Sequence, residues 1–125
     1  MVDRRELGAI FLGGALGTLA RAGIVEWLGH GAPEWPWATF LVNVAGAFLL
    51  GWFAVTGPEG SLRRPLLTAG FCGGLTTFST VQLELLEMLD EGRAGLAALY
   101  ASGSVAAGYL GVVCATRLAR RWSLR

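Results

Sequence analysis

The stretch GFCGGLTTFST, residues 70–80, places three glycines and four hydroxyl side chains inside a segment that is otherwise apolar. Gly70, Gly73 and Gly74 weaken a helix and permit non-helical backbone. Within a bilayer, such backbone survives only where protein or a water-filled cavity covers it. Carbonyls freed by a helix break commonly coordinate small cations such as Na⁺. The stretch therefore predicts a deliberate helix break, with residues 73–76 unwound, that forms an ion site.

The composition around this stretch is typical of a membrane protein. Of the 125 residues, 54% are hydrophobic and only 15% are charged, whereas a soluble domain usually carries about 25% charged residues. Four apolar runs each approach the roughly 20 residues that a helix needs to cross the hydrocarbon; they cover residues 7–28, 37–56, 65–89 and 95–118. We predict one all-α membrane domain (residues 1–125) of four transmembrane helices, the third broken mid-span. The net charge of +1 argues against electrostatic binding of nucleic acid.

The arginines predict how the chain is oriented. Four alternating helices place Arg21 and Arg93 at one end, and all the other cationic residues at the opposite end: Arg4, Arg5, Arg63, Arg64, Arg117, Arg120, Arg121 and Arg125. The positive-inside rule then puts both termini in the cytoplasm, in a multi-pass protein of the cell membrane. Arg120 and Arg121 are also within reach of anionic headgroups, although we interpret them first as topology determinants.

Polar side chains within the spans indicate a permeation route. Asn43 lies midway along the second span, Arg21 lies toward the end of the first, and Tyr100 and Ser104 share a face of the fourth. Polar groups at this depth are costly and often mark a pathway. For a single such group, an interhelical hydrogen bond is an equally good interpretation. The acidic end of the third span is interpreted as a solvated face; it contains Glu84, Glu87, Asp90 and Glu91.

Small residues four apart, such as Gly13 and Gly17, predict close helix packing or an oligomer. Four helices enclose little volume, so a dimer is the expected working unit. The only histidine, His30, lies in a predicted loop. Because this leaves no general base near a nucleophile, no enzyme is proposed.

Three segments resemble signatures of the Fluc/CrcB fluoride channel family: GGALGTLAR (13–21), WATFLVNVAGAFLLG (37–51) and GFCGGLTTFST (70–80). The resemblance implies a fluoride-selective passive channel that lowers cytoplasmic fluoride and so confers fluoride resistance. It implies four-helix subunits paired antiparallel, with two pores. It also implies a structural Na⁺, not transported, at the dimer interface, held by the backbone carbonyls of Gly73 and Thr76 of each subunit.

The resemblance also assigns pore residues. Asn43 matches an asparagine whose amide donates to the anion, and Phe78 matches the first phenylalanine of a T-T-F-S-T-F motif, whose ring edge carries partial positive charge. Thr77 and Thr80 are hydroxyl candidates beside the same path. The remaining matches are a polar track on the fourth helix, Tyr100 and Ser104, and a vestibule or folding residue, Arg21.

Two features depart from the family pattern. Val81 stands where the motif has its second phenylalanine, so one wall of the expected aromatic box is missing. The arginines are strongly one-sided, whereas an antiparallel dimer of identical chains needs both orientations. Both departures are explained if the chain is one half of a heterodimer with a second family member. A homodimer that tolerates Val81 and inserts both ways is the alternative.

Two rival functions remain at this point. A small multidrug transporter is also an antiparallel dimer of four-helix chains, but it needs a carboxylate near the middle of the first span. Here Glu6 and Glu26 lie at the two ends of that span. A purely structural packing protein is the other rival, and it would show no ion flux.

Overall fold

The computed structural model describes residues 3–29 and 34–125, so His30 lies outside the described residues. All regular structure within these two ranges is helical, which confirms the all-α prediction. The elements are α1 (Arg4–Leu28), α2 (Trp37–Thr56), α3 (Arg63–Pro65), a π-helical segment (Leu66–Cys72), α4 (Gly73–Leu75), α5 (Ser79–Asp90) and α6 (Ala94–Ser123).

Three of these helices, α1, α2 and α6, are long and apolar enough to cross a membrane. Between α2 and α6, the third predicted span is divided into α3, the π-helical segment, α4 and α5. The chain is thus a multi-pass membrane protein with an interrupted third span.

The packing pairs α2 with α6, and α1 with the π-helical segment and α4. Near the end of α2, a side chain at Gly51 would run into the backbone of Val112, and the Trp52 ring meets the Trp122 ring edge-to-face at 5.9 Å. The two helices therefore run side by side in the same direction. This arrangement brings the C-terminus of α6 to the end of the bundle where α2 also ends.

The glycines of the opening stretch do not unwind the chain, which corrects the interpretation made from the sequence. Gly73 has helical angles (φ −63°, ψ −39°). Among the described glycines, only Gly29, Gly60 and Gly92 have positive φ. Gly70 and Gly74 instead allow backbone contact with α1: a Cβ on Gly70 would lie 2.8 Å from the Ile10 carbonyl oxygen, and a Cβ on Gly74 would collide with the Gly14 carbonyl.

Glycines on α1 complete this contact from the other side. A Cβ added at Gly13 would collide with the carbonyl oxygen of Leu66, and one added at Gly17 would collide with that of Phe71. Both helices therefore present bare backbone to each other, as small-residue faces do in membranes.

The interruption lies slightly later than predicted. Helix α4 ends at Leu75, Thr76 is extended (φ −82°, ψ 154°), and α5 begins at Ser79. The unwound segment is therefore residues 76–78, where the hydroxyl residues begin. We call these three residues the helix break.

Candidate functional site

Asn43 of α2 holds the helix break at Thr77. Its Oδ1 accepts a hydrogen bond from the Thr77 N–H at 2.7 Å, and its Nδ2 donates to the Thr77 carbonyl at 3.0 Å. Both backbone groups of Thr77 thus gain from one side chain the partners that a continuous helix would otherwise supply. An unpaired backbone group at this depth would cost free energy. The two hydrogen bonds from Asn43 remove this cost and so stabilise the break. One N–H of its amide remains for another acceptor.

Arg21 of α1 holds the preceding residue. Its Nη1 donates to the Thr76 carbonyl oxygen at 3.2 Å. The N–H and hydroxyl of Thr76 both bond back to the Cys72 carbonyl, at 3.0 and 2.9 Å. The methyl group of Thr76 fills the space that Gly46 leaves on α2. Arg21 therefore acts on the break itself, as a cation beside a freed carbonyl.

The hydroxyls of the break form a local chain. The Thr77 Oγ1 donates to the Thr80 Oγ1 at 2.9 Å, accepts from the Thr80 N–H at 3.2 Å and lies 3.4 Å from the Ser79 Oγ. Thr77 is buried, and Thr80 is half-buried. Both predicted hydroxyl residues thus lie together at the start of α5.

Glu84 is a site residue that the sequence analysis missed. It was interpreted as part of a solvated acidic face, but its carboxylate points into the bundle. The Thr39 hydroxyl donates to Oε1 and the Tyr100 hydroxyl donates to Oε2, both at 2.6 Å, as is usual for hydroxyls on a carboxylate.

A helical signal was available for Glu84. It shares a face of α5 with Val81 and Met88, three residues before it and four after it, and both of these are buried. Thr39 likewise lies one turn before Asn43 on α2. Tyr100 is fully buried, and its hydroxyl gains a hydrogen-bond acceptor in the Glu84 carboxylate.

The two positions of the aromatic motif point to different surroundings. Phe78 is 76% exposed on the surface of this protomer. Val81 is buried in a core cluster with Met88, Ala97 and Tyr100. A ring at residue 81 would enter the protomer core, whereas the ring of Phe78 has space for a neighbouring molecule.

Two buried polar atoms have no hydrogen-bond partner within the described part of the chain: the Oγ of Ser104 and the Nε1 of Trp35. Trp35 packs edge-to-face on Tyr100 (5.3 Å) and on Phe40 (5.5 Å). Buried donors without partners are uncommon. The hydroxyl of Ser104 lies one turn after Tyr100 on α6 and is buried within the described part of the chain.

A cleft of about 1060 Å³ leads from the helix break toward the end of the bundle where α5 ends. Its inner part is lined by Arg21, Thr77, Thr80 and Glu84, and its outer part by Glu87, Glu91 and Arg93. Glu91 and Arg93 form an ion pair there. Arg21, Thr77, Thr80 and Glu84 thus share one cleft with the break.

The carbonyl pair that the resemblance assigns to Na⁺ fits the local backbone in part. In a continuous helix the Gly73 carbonyl would accept from the Thr77 N–H, which here donates to Asn43. The Thr76 carbonyl accepts from Arg21 but keeps a second lone pair. Gly73 is also exposed on the protomer surface. One protomer offers two hard oxygen ligands, and a second copy would have to supply the others.

The fold and this site together define a class: small multi-pass membrane proteins with an interrupted helix whose polar groups line an opening. The sequence profile of the family described as "CrcB-like protein, Camphor Resistance (CrcB)" matches residues 8–116. The chain belongs to this family.

Similar proteins extend over nearly the whole chain. It is 54% identical to "Fluoride-specific ion channel FluC 1" of Mycolicibacterium paratuberculosis, with 98% of this chain and 96% of that protein covered. It is 51% identical to the protein of that name from Mycobacterium bovis, with the same coverage. It is 42% identical to "Fluoride-specific ion channel FluC 2" of Nocardia farcinica, over 95% of this chain and 88% of that one.

These findings confirm the family resemblance. The relatives' names describe a channel, in agreement with the prediction that the chain is not an enzyme. They give no support to the multidrug transporter considered as a rival.

Proposed function

We propose that the chain is one subunit of a fluoride-selective passive ion channel that lowers cytoplasmic fluoride. The observation that carries the proposal is the helix break at residues 76–78, which lies against Asn43 and opens into the cleft. Relatives at up to 54% identity are named as fluoride-specific channels. The anion is proposed to pass the free N–H of Asn43, the hydroxyls of Thr77, Thr80 and Ser104, and the ring edge of Phe78.

The chemistry of these groups suits a small anion. Burying a bare ion costs on the order of 20 kcal/mol in the idealised limit, so donors must replace its water. They must also bind weakly enough for the ion to leave. Hydroxyls, one amide and an aromatic edge meet both conditions, because each offers a partial positive charge and none carries a full charge. The carboxylate of Glu84, which holds Thr39 and Tyr100 in place, limits how many hydroxyls are free to bind the anion.

We propose that the working unit is an antiparallel dimer, with a second family member as the favoured partner. The exposed ring of Phe78 and the exposed Gly73 support a partner that covers this face. The one-sided arginines support a single orientation for this chain, with both termini in the cytoplasm. The relatives' names "FluC 1" and "FluC 2" are consistent with paired family members of this kind. A homodimer is the alternative outcome.

A structural Na⁺ between the subunits is part of the proposal, with the Gly73 and Thr76 carbonyls as its ligands. Arg21 donates to one of these oxygens, so its charge opposes the ion. The expected consequence is that Arg21→Gln increases the stabilisation of the dimer by Na⁺ relative to N-methylglucamine, measured as subunit exchange between labelled vesicles. An unchanged or smaller Na⁺ effect would contradict this assignment.

The central experiment is fluoride efflux from liposomes, followed with a fluoride electrode. The chain is reconstituted alone and together with a second CrcB-family chain from the same genome, and chloride efflux is measured in parallel. We expect fluoride efflux without chloride efflux, and higher efflux with the partner. Absence of fluoride flux in both preparations would overturn the channel. Full flux from the chain alone, with cross-linked antiparallel pairs, would overturn only the heterodimer.

A further inference from the structure

The C-terminal end of α6 carries a hollow of about 580 Å³ that the proposed function does not use. It is lined by Leu118, Arg121, Trp122 and Arg125. These positions follow the spacing of one helical face, with the apolar Leu118 one turn before Arg121 and two turns before Arg125. The Arg125 N–H donates to the Trp122 carbonyl at 3.1 Å, which closes the last turn. The hollow is thus apolar on the side toward the middle of α6, which we call its lower edge, and cationic on the side toward the C-terminus, which we call its upper edge.

The two guanidinium groups lack protein partners. Within the described residues, the side chains of Arg121 and Arg125 make no hydrogen bond and no ion pair, and the one salt bridge found lies at the opposite end of the bundle, between Arg93 and Glu91. Acidic side chains are scarce at the α6 end: Asp3, Glu6 and Glu59 accompany the eight arginines there. Two unpaired guanidiniums over a hollow are therefore available to an anionic ligand from outside the chain.

Neighbouring aromatic rings place this hollow at the membrane surface. The ring of Trp122 is 70% exposed and packs edge-to-face against Trp52. Tryptophan rings favour the boundary between hydrocarbon and headgroups. Leu118, one turn toward the bundle centre, is also exposed. An occupant of the hollow would thus meet apolar groups on its hydrocarbon side and guanidiniums on its aqueous side.

We propose that this hollow is a binding site for the phosphodiester headgroup of an anionic phospholipid such as phosphatidylglycerol. Arg121 and Arg125 donate to the phosphate oxygens, because a guanidinium presents paired donors that match them. Trp122 and Leu118 contact the glycerol backbone and the first methylenes of an acyl chain. The free phosphate ion matches only the upper half of this arrangement. A lipid matches both halves.

The test is a lipid titration of the purified full chain by native mass spectrometry. Phosphatidylglycerol and phosphatidylcholine are compared for the unmodified chain and for the variant Arg121→Gln/Arg125→Gln. The matched control is Arg4→Gln/Arg5→Gln, which removes the same charge at the same end but does not line the hollow. We expect the lining variant to bind phosphatidylglycerol at least about tenfold more weakly, since one arginine near an anionic lipid surface contributes on the order of fivefold.

Under the proposal, the control variant loses less than the lining variant, phosphatidylcholine binding does not change, and inorganic phosphate does not displace the lipid. Equal losses in both variants would overturn the site, because they would indicate general surface attraction. Displacement by inorganic phosphate at low millimolar concentration would overturn the lipid as the occupant. Trp122→Leu keeps both charges, so a loss of lipid preference in that variant would support the aromatic contribution. All three variants change exposed residues, and their thermal unfolding serves as the folding control.

Discussion

At the scale of single residues, the polar groups around the helix break are satisfied by side chains from other helices. Asn43 comes from α2, Arg21 from α1, and Glu84 from α5 meets hydroxyls of α2 and α6. In hydrocarbon there is no water to replace a lost partner. Each of these hydrogen bonds therefore satisfies a polar group and also fixes the position of one helix relative to another.

The hydrogen bond from Tyr100 to Glu84 can be tested by comparing the removal of the Tyr100 hydroxyl with the removal of the Tyr109 hydroxyl. Tyr100→Phe leaves the Oε2 of Glu84 without its donor, which typically costs about 1–3 kcal/mol for a buried group. Tyr109→Phe is the matched control, because Tyr109 is exposed and its hydroxyl has no hydrogen-bond partner among the described residues. We expect a lower unfolding temperature in detergent for Tyr100→Phe alone. Equal unfolding temperatures for the two variants would contradict the contact.

The contact between Asn43 and Thr77 predicts a joint loss of stability and flux. Asn43→Ala removes both partners of the Thr77 backbone, and we expect a loss of about 1–3 kcal/mol together with slower fluoride efflux. Asn43→Asp retains the acceptor for the Thr77 N–H and should lose less stability. Thr116→Val is a suitable control, because the Thr116 hydroxyl bonds only to the Val113 carbonyl of its own helix. Slow efflux at unchanged stability would limit Asn43 to contact with the anion.

At the scale of elements, α1 and the interrupted third span meet through bare backbone. The π-helical segment and α4 carry Gly70 and Gly74 at this contact, and α1 carries Gly13 and Gly17. Membrane helices gain no hydrophobic drive toward each other, so close packing has to hold them together. The glycines of the opening stretch therefore place the third span beside Arg21.

This packing predicts that the glycines of α1 differ sharply in how well they tolerate replacement by alanine. Gly13→Ala and Gly17→Ala force a methyl group into a backbone carbonyl, and overpacking of this kind costs about 1–3 kcal/mol. Gly8→Ala and Gly23→Ala lie on the same helix with open space around them, and alanine should be neutral or stabilise by up to about 1 kcal/mol. Unfolding temperatures of the four variants in detergent measure the contrast. A uniform response along α1 would mean that these faces do not touch.

At the scale of the whole molecule, the chain has two oppositely charged ends. One end carries eight arginines and three carboxylates. Toward the other lie two arginines, Arg21 and Arg93, and the remaining carboxylates: Glu26, Glu34, Glu84, Glu87, Asp90 and Glu91. Although the net charge is nearly neutral, positive charge is concentrated at one end of the molecule and negative charge toward the other. Because the insertion machinery responds to arginines and little to carboxylates, this asymmetry favours one orientation.

The orientation can be measured with reporters fused to the C-terminus of the chain expressed alone. We expect a fluorescent protein, which matures in the cytoplasm, to be bright and alkaline phosphatase, which matures outside, to be inactive. Replacing the four arginines at the end of α6 by glutamine should raise phosphatase activity, since C-terminal charges influence topology. Comparable activity of both reporters in the unmodified chain would indicate dual insertion and favour the homodimer.

Four features could be read from the order of amino acids: the membrane class, the helical content, the family and the existence of a break in the third span. These follow from local properties: apolar run length, three sequence motifs, and a run of glycine and hydroxyl residues. Other features became visible only in the folded chain: the position of the break, the packing role of the glycines and the inward-facing carboxylate of Glu84. The folded chain also showed that Val81 is buried whereas Phe78 is exposed. The physical reason is that a backbone group or a carboxylate in hydrocarbon adopts the position where another helix satisfies it. That partner lies far away in sequence, as Asn43 does for Thr77 and Tyr100 for Glu84.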